Sequence, residues 1–246
     1  MTVTPDSRIT VVTGASRGIG YETALALARA GHHVVAVART QGGLEELDDA
    51  IRAVGGSATL VPLDLVDGGA IDQLGAALAE RFGRIDGLVG NAGVLGGLSP
   101  VGHIEPRKWD AAFAINVTAN YRLIRSLDPL LRQSAAGRCV FLSSAAAWKG
   151  KAFWGLYAAS KAALNALVLA YADEVRSFGI NVNLVNPGPL RTRMRAEAMP
   201  GEDPDSLKTP AELAPHIAAI VEADETRSAE LFDFPSLSWM KLRSPQ

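Results

Sequence analysis

Cysteine is nearly absent from this sequence of 246 residues: Cys139 stands alone. A single thiol excludes an intrachain disulfide and fits a reducing compartment. It sits in the apolar run Cys139-Val140-Phe141-Leu142, which reads as a buried core thiol rather than a nucleophile. Charge of one sign is also lacking. Lys plus Arg number 24 against 26 Asp plus Glu, a net charge of −2, so the basic footprint of a nucleic-acid binder is missing. No stretch approaches the ~18 uninterrupted apolar residues of a membrane span. The segment from Met1 to Arg8 is short and polar and has no apolar signal core. No residues are assigned to a metal. These absences lead to the expectation of a soluble, cytoplasmic protein with no nucleic-acid or membrane partner.

Hydrophobic residues make up 48% of the chain and charged residues 20%, enough apolar material for a large core and too much for disorder. Short β-branched runs alternate with amphipathic stretches, the pattern of βαβ units. Strands are expected over 9–12, 33–38, 58–63, 85–90, 138–143 and 180–185, with a short seventh at 230–234. Helices are expected over about 18–30, 43–54, 68–82, 106–133 and 155–178. The strands are continuous apolar runs, as when helices cover both faces of a sheet. The expected fold is therefore α/β: a doubly wound, mostly parallel, seven-stranded Rossmann sheet in one domain over 1–246. The interval 186–210 is rich in proline, with Met194 and Met199 among its residues. So long an insertion reads as a substrate loop with short helical pieces.

Directly after the first strand comes Thr13-Gly14-Ala15-Ser16-Arg17-Gly18-Ile19-Gly20. Glycines there permit a tight turn, and the helix that follows offers free N–H groups to a pyrophosphate. An acid about 20 residues further on would favour NAD by binding the ribose hydroxyls. Here the second strand ends Val37-Ala38-Arg39 instead. Arg39 and Arg17 suit the forked, charge-assisted hydrogen bonds of a 2′-phosphate, which points to NADP(H).

Tyr157 and Lys161 are four residues apart near the start of an Ala/Leu-rich helix, so a phenol and an ammonium share one face. A nearby positive charge favours phenolate, moving a tyrosine from its usual pKa of about 10 toward working pH. Such a group suits proton transfer in alcohol–ketone chemistry.

Taken in order, these motifs resemble the short-chain dehydrogenase/reductase family over essentially the whole chain. Thr13 to Gly20 matches its Thr-Gly-x-x-x-Gly-x-Gly loop, Asp64 with Leu65 its adenine contact, and Asn91-Ala92-Gly93 its Asn-Asn-Ala-Gly element. Gly90 replaces the first Asn of that element. Asn116, Ser144, Tyr157 and Lys161 fall at its catalytic positions, Ser144 lying 13 residues before Tyr157. Pro187, Gly188 and Thr192 match the segment beside the nicotinamide. The stretches 91–98, 154–157 and 192–210 resemble a bacterial, NADP-preferring subgroup whose natural substrate is unsettled.

The resemblance implies reversible hydride transfer between NADP(H) and a small carbonyl or alcohol. Tyr157 would be the proton donor, Ser144 a partner of the carbonyl oxygen, and Lys161 both a pKa-lowering charge and a ribose contact. Asn116 would position a water. It also implies a homodimer or homotetramer through the two long helices.

Alternatives stay open from the residues themselves. Asn116 would equally satisfy backbone groups in a kinked helix, and Asp64 would serve as a turn or cap residue. Ser143 reads as the structural serine of its pair. Trp148, Phe153, Trp154, Met194 and Met199 suggest an apolar or aromatic substrate, or ordinary core and subunit contacts. His103 reads as a surface loop residue. A β-ketoacyl-carrier-protein reductase would call for a basic patch, with Arg122, Arg125, Arg132 and Arg176 as candidates. A non-catalytic NADP(H) sensor would keep the fold without needing the tyrosine.

Overall fold

The computed structural model describes residues 7–242; apart from Ser7 and Arg8, the polar N-terminal stretch lies outside them. One eight-stranded sheet runs through the protein in the order β3-β2-β1-β4-β5-β6-β7-β8. Its strands are β1 (Ile9–Thr13), β2 (His33–Ala38), β3 (Ser57–Pro62), β4 (Gly87–Gly90), β5 (Arg138–Leu142), β6 (Asn181–Asn186), β7 (Leu231–Asp233) and β8 (Ser238–Met240). The first seven pair in parallel, and β8 returns antiparallel to β7.

The eighth strand corrects the expected count of seven. Ser238–Met240 is three residues long and half exposed, too short to show a period of its own. What forms it is a turn in which Ser236 hydrogen-bonds to Asp233 and Leu237 adopts φ 51°.

The helices are α1 (Gly18–Arg29), α2 (Gln41–Ala53), α3 (Gly68–Phe82), α4 (Pro106–Phe113), α5 (Ala119–Leu131), α6 (Gly155–Glu174), α7 (Arg193–Ala198) and α8 (Pro210–Ile220). The long helix expected over 106–133 is two helices joined by a π turn, Ala114–Thr118. Helix α8 is additional to the expected set. It opens with proline at its first turn and a capping box between Thr209 and Glu212.

Alternation along each strand sends neighbouring residues to opposite faces. Val11, Val35, Leu88 and Phe141 join one apolar layer with residues of α3, α5 and α6. Val12, Val34, Val89 and Val140 join the other with residues of α1, α2 and α8. Both layers are closed, which is why the strands read as unbroken apolar runs. Strand β1 pairs with β2 on one side and β4 on the other, so the chain's winding reverses there. Ligands of open α/β sheets bind at such a switch point, beyond the carboxyl ends of the strands.

Candidate active site

At the end of β1 the Thr13 hydroxyl accepts hydrogen bonds from the N–H groups of Asn91 (3.0 Å) and Ala92 (3.1 Å). The Asn91 amide donates back to the Thr13 carbonyl at 2.8 Å. These bonds tie the ends of β1 and β4 across the switch point. Gly14 and Gly18 hold φ of 65° and 58°, a region costly for other residues. At Gly20 a Cβ would stand 2.3 Å from the Gly14 carbonyl oxygen and 2.5 Å from the Asn91 amide. Only glycine lets α1 start so close to the turn.

Arg17 flanks the start of α1 without a side-chain cap, leaving first-turn N–H groups for an anion. Ser16 and Ile19 lie in the same turn, and the Thr192 methyl is 3.9 Å from where a Gly18 Cβ would lie. The residues present therefore fit a dinucleotide pyrophosphate.

Arg17 is exposed and makes no ion pair among the described residues. Arg39 is 75% exposed, and its guanidinium lies 3.9 Å from the Asp64 carboxylate. Asp64 also accepts from the Val66 N–H at 3.1 Å, so its turn-forming role is real whatever else it does. Leu65 beside it is buried. Gly90, which stands in for an asparagine, has its own cause: a Cβ there would lie 2.3 Å from the Phe141 ring and 2.6 Å from the Asn120 amide oxygen.

At the ends of β4 and β5 the four expected catalytic positions converge. Ser144 begins the short 3-10 turn Ala145–Ala147, its hydroxyl accepting from the Ala146 N–H at 3.2 Å and lying near enough to the Tyr157 phenol to pull its pKa down. Ser143 points the other way and donates to the buried Asn165 amide oxygen at 2.6 Å, as its structural reading requires. Tyr157 and Lys161 are both buried. The Lys161 ammonium donates to the Leu142 carbonyl at 2.7 Å and lies 5.8 Å from the centre of the Tyr157 ring.

Asn116 sits inside the π turn and is fully buried. Its amide accepts from the Val94 N–H (2.8 Å) and donates to the Val94 carbonyl and the Ser160 hydroxyl, both at 2.9 Å. The backbone-satisfying reading of Asn116 is thus realised. Gly93 lies between the two centres, because a Cβ on it would stand 3.2 Å from the Asn116 amide oxygen and 3.4 Å from the Lys161 ammonium.

Electrostatics correct one expectation. Burial pushes the Tyr157 pKa up to about 12, with the Ser144 hydrogen bond pulling the other way. Burial also lowers Lys161 to about 8. In the protein alone the neighbouring ammonium does not bring the tyrosine toward neutrality. A low-dielectric site penalises phenolate and ammonium alike. Tyr157 therefore stands as a neutral phenol.

The match of the short-chain dehydrogenase family model to residues 8–203 decides the family. The chain is a short-chain dehydrogenase. It is 39% identical over 225 residues to the uncharacterized oxidoreductase YciK of Escherichia coli (strain K12), covering 90% of this chain and 89% of that protein. A short-chain dehydrogenase of Shigella flexneri 2a str. 301, complexed with NADP, is 38% identical with a TM-score of 0.86, covering 92% of this chain and 96% of that one. One from Escherichia coli CFT073, complexed with NADPH, has the same identity and TM-score, covering 92% and 95%.

Around Tyr157 this dehydrogenase builds an apolar wall. Leu95, Tyr157 and Ala198 form a buried cluster, with Ala146, Trp154, Met194 and Met199 packed on it. The Trp154 ring meets Tyr157 edge-on at 6.1 Å. Of the five aromatic and Met residues expected near a pocket, Trp154, Met194 and Met199 gather there. Trp148 and Phe153 stay 40% and 56% exposed. The interval 186–210 does contain short helical pieces, α7 and the 3-10 turn Pro204–Ser206.

Sequence reasoning missed Asn186 of the dehydrogenase. Its amide oxygen accepts from the N–H groups of Ala145 (2.9 Å) and Gly188 (3.3 Å), and its amide nitrogen donates to Asp233 at 2.6 Å. One residue thus fixes the turn that carries Ser144 and the Pro187-Gly188 segment. The available signal was a polar residue closing an otherwise apolar strand. His103 is exposed and Cys139 buried, as expected, with burial pushing the thiol pKa up. The candidate basic patch is largely neutralised: Arg122 lies 4.0 Å from Asp72, Arg132 2.7 Å from Asp128 and Arg176 2.8 Å from Asp173. Among the described residues no helix is long and apolar enough to cross a membrane.

Proposed function

We propose that this dehydrogenase exchanges a hydride between NADP(H) and a small carbonyl or alcohol compound, apolar or aromatic beside the reacting carbon. The observation that carries the reading is the buried Tyr157 phenol, flanked by Ser144 and the buried Lys161 and packed in an apolar wall.

In the reducing direction Ser144 and Tyr157 hydrogen-bond the carbonyl oxygen, and Tyr157 gives its proton to that oxygen. Lys161 places a positive charge beside the phenolate that results, which lowers the cost of forming it. Asn116 fixes the Val94 backbone next to Gly93 and holds a water through which the tyrosine is recharged. When bound, the nicotinamide supplies or accepts the hydride.

Gly14, Ser16, Gly18, Ile19 and Gly20 would cradle the pyrophosphate, and Arg17 with Arg39 would take the 2′-phosphate. Asp64 and Leu65 would flank the adenine. Asn91, Ala92, Gly93, Pro187, Gly188 and Thr192 would line the nicotinamide side, with Tyr157 and Lys161 at its ribose. The NADP- and NADPH-bound relatives at 38% identity support this choice of cofactor. The segment 186–210 forms the substrate side of the pocket. The exposed Ala162, Ala166 and Ala170 of α6 offer the close-packing face that a homodimer or homotetramer would use.

An NADPH-oxidation screen over free apolar and aromatic carbonyls and a carrier-linked β-ketoacyl thioester tests the reading. Tyr157→Phe should lose about 10²–10⁴-fold in turnover while still binding NADPH. Wild-type rates in that variant would refute the proton-donor role. Tight NADPH binding without turnover of any carbonyl would favour a sensor instead.

A further inference from the structure

The segment carrying the apolar wall is closed on itself at its base. Leu190 and Lys208 form an isolated parallel bridge, the Arg191 N–H donates to the Lys208 carbonyl at 2.9 Å, and Arg191 pairs with Asp205 at 3.1 Å. Helix α7 inside this loop has only six residues, too few to hold a helix without outside help. Thr192 caps its start, accepting from the Arg195 N–H at 3.2 Å.

Past its end the chain turns sharply, with Met199 N–H donating to the Arg195 carbonyl and Glu202 N–H to the Met199 carbonyl. Across this turn Arg195 reaches seven residues forward. Its Nε and Nη2 donate to the two carboxylate oxygens of Glu202, each at 2.5 Å. The fork brackets the wall: Met194 precedes Arg195, while Ala198 and Met199 lie between the two partners. Both side chains are about three-quarters covered, at 22% and 25% exposure.

A bidentate guanidinium–carboxylate pair is the geometry in which a partly covered ion pair holds best, and here it spans the one turn that carries Ala198 and Met199. A forked guanidinium–carboxylate contact adds geometric specificity that a point charge lacks. The Arg195 hydrogen bonds hold the Glu202 carboxyl below its usual range, and the Lys151 charge adds to the effect. Lys151 stands by Trp154, its ammonium 5.0 Å from the centre of that ring.

We propose that Arg195 and Glu202 are a positioning pair, which holds Met194 and Met199 as a preformed apolar wall against the non-reacting part of the substrate. The proposal rests on the reading of Tyr157 as the proton donor to a carbonyl. The pair acts through substrate binding, and the proton transfer itself is left to Tyr157 and Ser144.

The test compares Arg195→Met, Arg195→Lys, Glu202→Gln and the exchanged pair Arg195→Glu/Glu202→Arg in the full chain. With an apolar ketone and NADPH, Arg195→Met and Glu202→Gln should raise KM roughly tenfold, with kcat within about twofold. Arg195→Lys should fall between them and wild type, and the exchanged pair should recover most of the loss. Amide hydrogen exchange over 193–202 should speed up in the single variants while the sheet keeps its protection.

That second measurement needs no turnover. If wild type reduces no carbonyl, the functional reading fails, yet the exchange rates still decide the brace. Unchanged exchange over 193–202, an unchanged KM, or a loss in kcat with KM untouched overturns the proposal. So does failure of the exchanged pair to recover when it folds with the wild-type melting temperature.

Discussion

The Lys161 ammonium lies 5.8 Å from the centre of the Tyr157 ring but spends its hydrogen bond on the Leu142 carbonyl, 2.7 Å away. The lysine is thus anchored to the end of β5 and acts on the tyrosine through space. Both groups are buried, and burial moves them oppositely, Tyr157 up to about 12 and Lys161 down to about 8. The site holds a proton on the phenol and carries a cation that is costly to keep charged.

That cost is measurable as stability. The folded Lys161 pKa of about 8 lies below its ordinary 10.5, so between those values the unfolded chain binds the proton and the folded chain does not. Stability owed to this group therefore rises as pH climbs from 8 toward 10.5, and is lost on the way down. Lys161→Met should be inactive yet melt higher than wild type at pH 7, and the gap should narrow by pH 10. Thermal melts at both pH values check this; a gap that stays constant removes burial of the charge as the cause.

Among the described residues Arg39 has only the exposed Asp64 carboxylate, 3.9 Å away, as an ionic partner, which leaves its fork free for a phosphate. Arg39→Asp should weaken NADPH relative to NADH by about ten- to hundredfold, the range of one or two charge-assisted hydrogen bonds. Kd values for both cofactors by nucleotide fluorescence decide it. A wild-type preference for NADH, or an unmoved ratio in the variant, sinks the assignment.

His33 is buried on β2 between the hydroxyls of Ser57 and Thr59, each at 2.8 Å. Burial first, and Arg81 second, hold its pKa below the ordinary 6.5. The unfolded chain therefore takes up the proton first as pH falls. Its share of stability is complete above about pH 6.5 and is lost below it. His32, lowered chiefly by burial beside Glu222, works in the same direction. Melting temperature should drop between pH 7.5 and 5.5, less steeply in His33→Gln; parallel slopes would rule His33 out.

Much of the site was legible because its geometry is local. Tyr157 and Lys161 share a face by the helical repeat alone, and the glycine turn follows from where it sits between a strand and a helix. Apolar runs bounded by turns located seven strands within a residue or two at most ends. The π turn at Asn116 was not legible, since its surrounding sequence is continuous with a regular helix. Nor was β8, whose three residues exist as a strand only through their pairing with β7.

The sequence by itself determined the parallel α/β architecture, the glycine turn and the phenol–ammonium pair, all of which rest on periodicity and short-range sterics. Tertiary structure decided what those groups become. Asn186 ties together Ala145, Gly188 and Asp233 from segments 41 and 47 residues apart or adjoining, and Arg195 forks onto Glu202 across a segment whose Met194, Ala198 and Met199 cluster with Tyr157. Burial then set the protonation state of Tyr157 against the expectation from its neighbour's charge. Solvent exclusion depends on every element packed around a group, and no spacing along the chain records it.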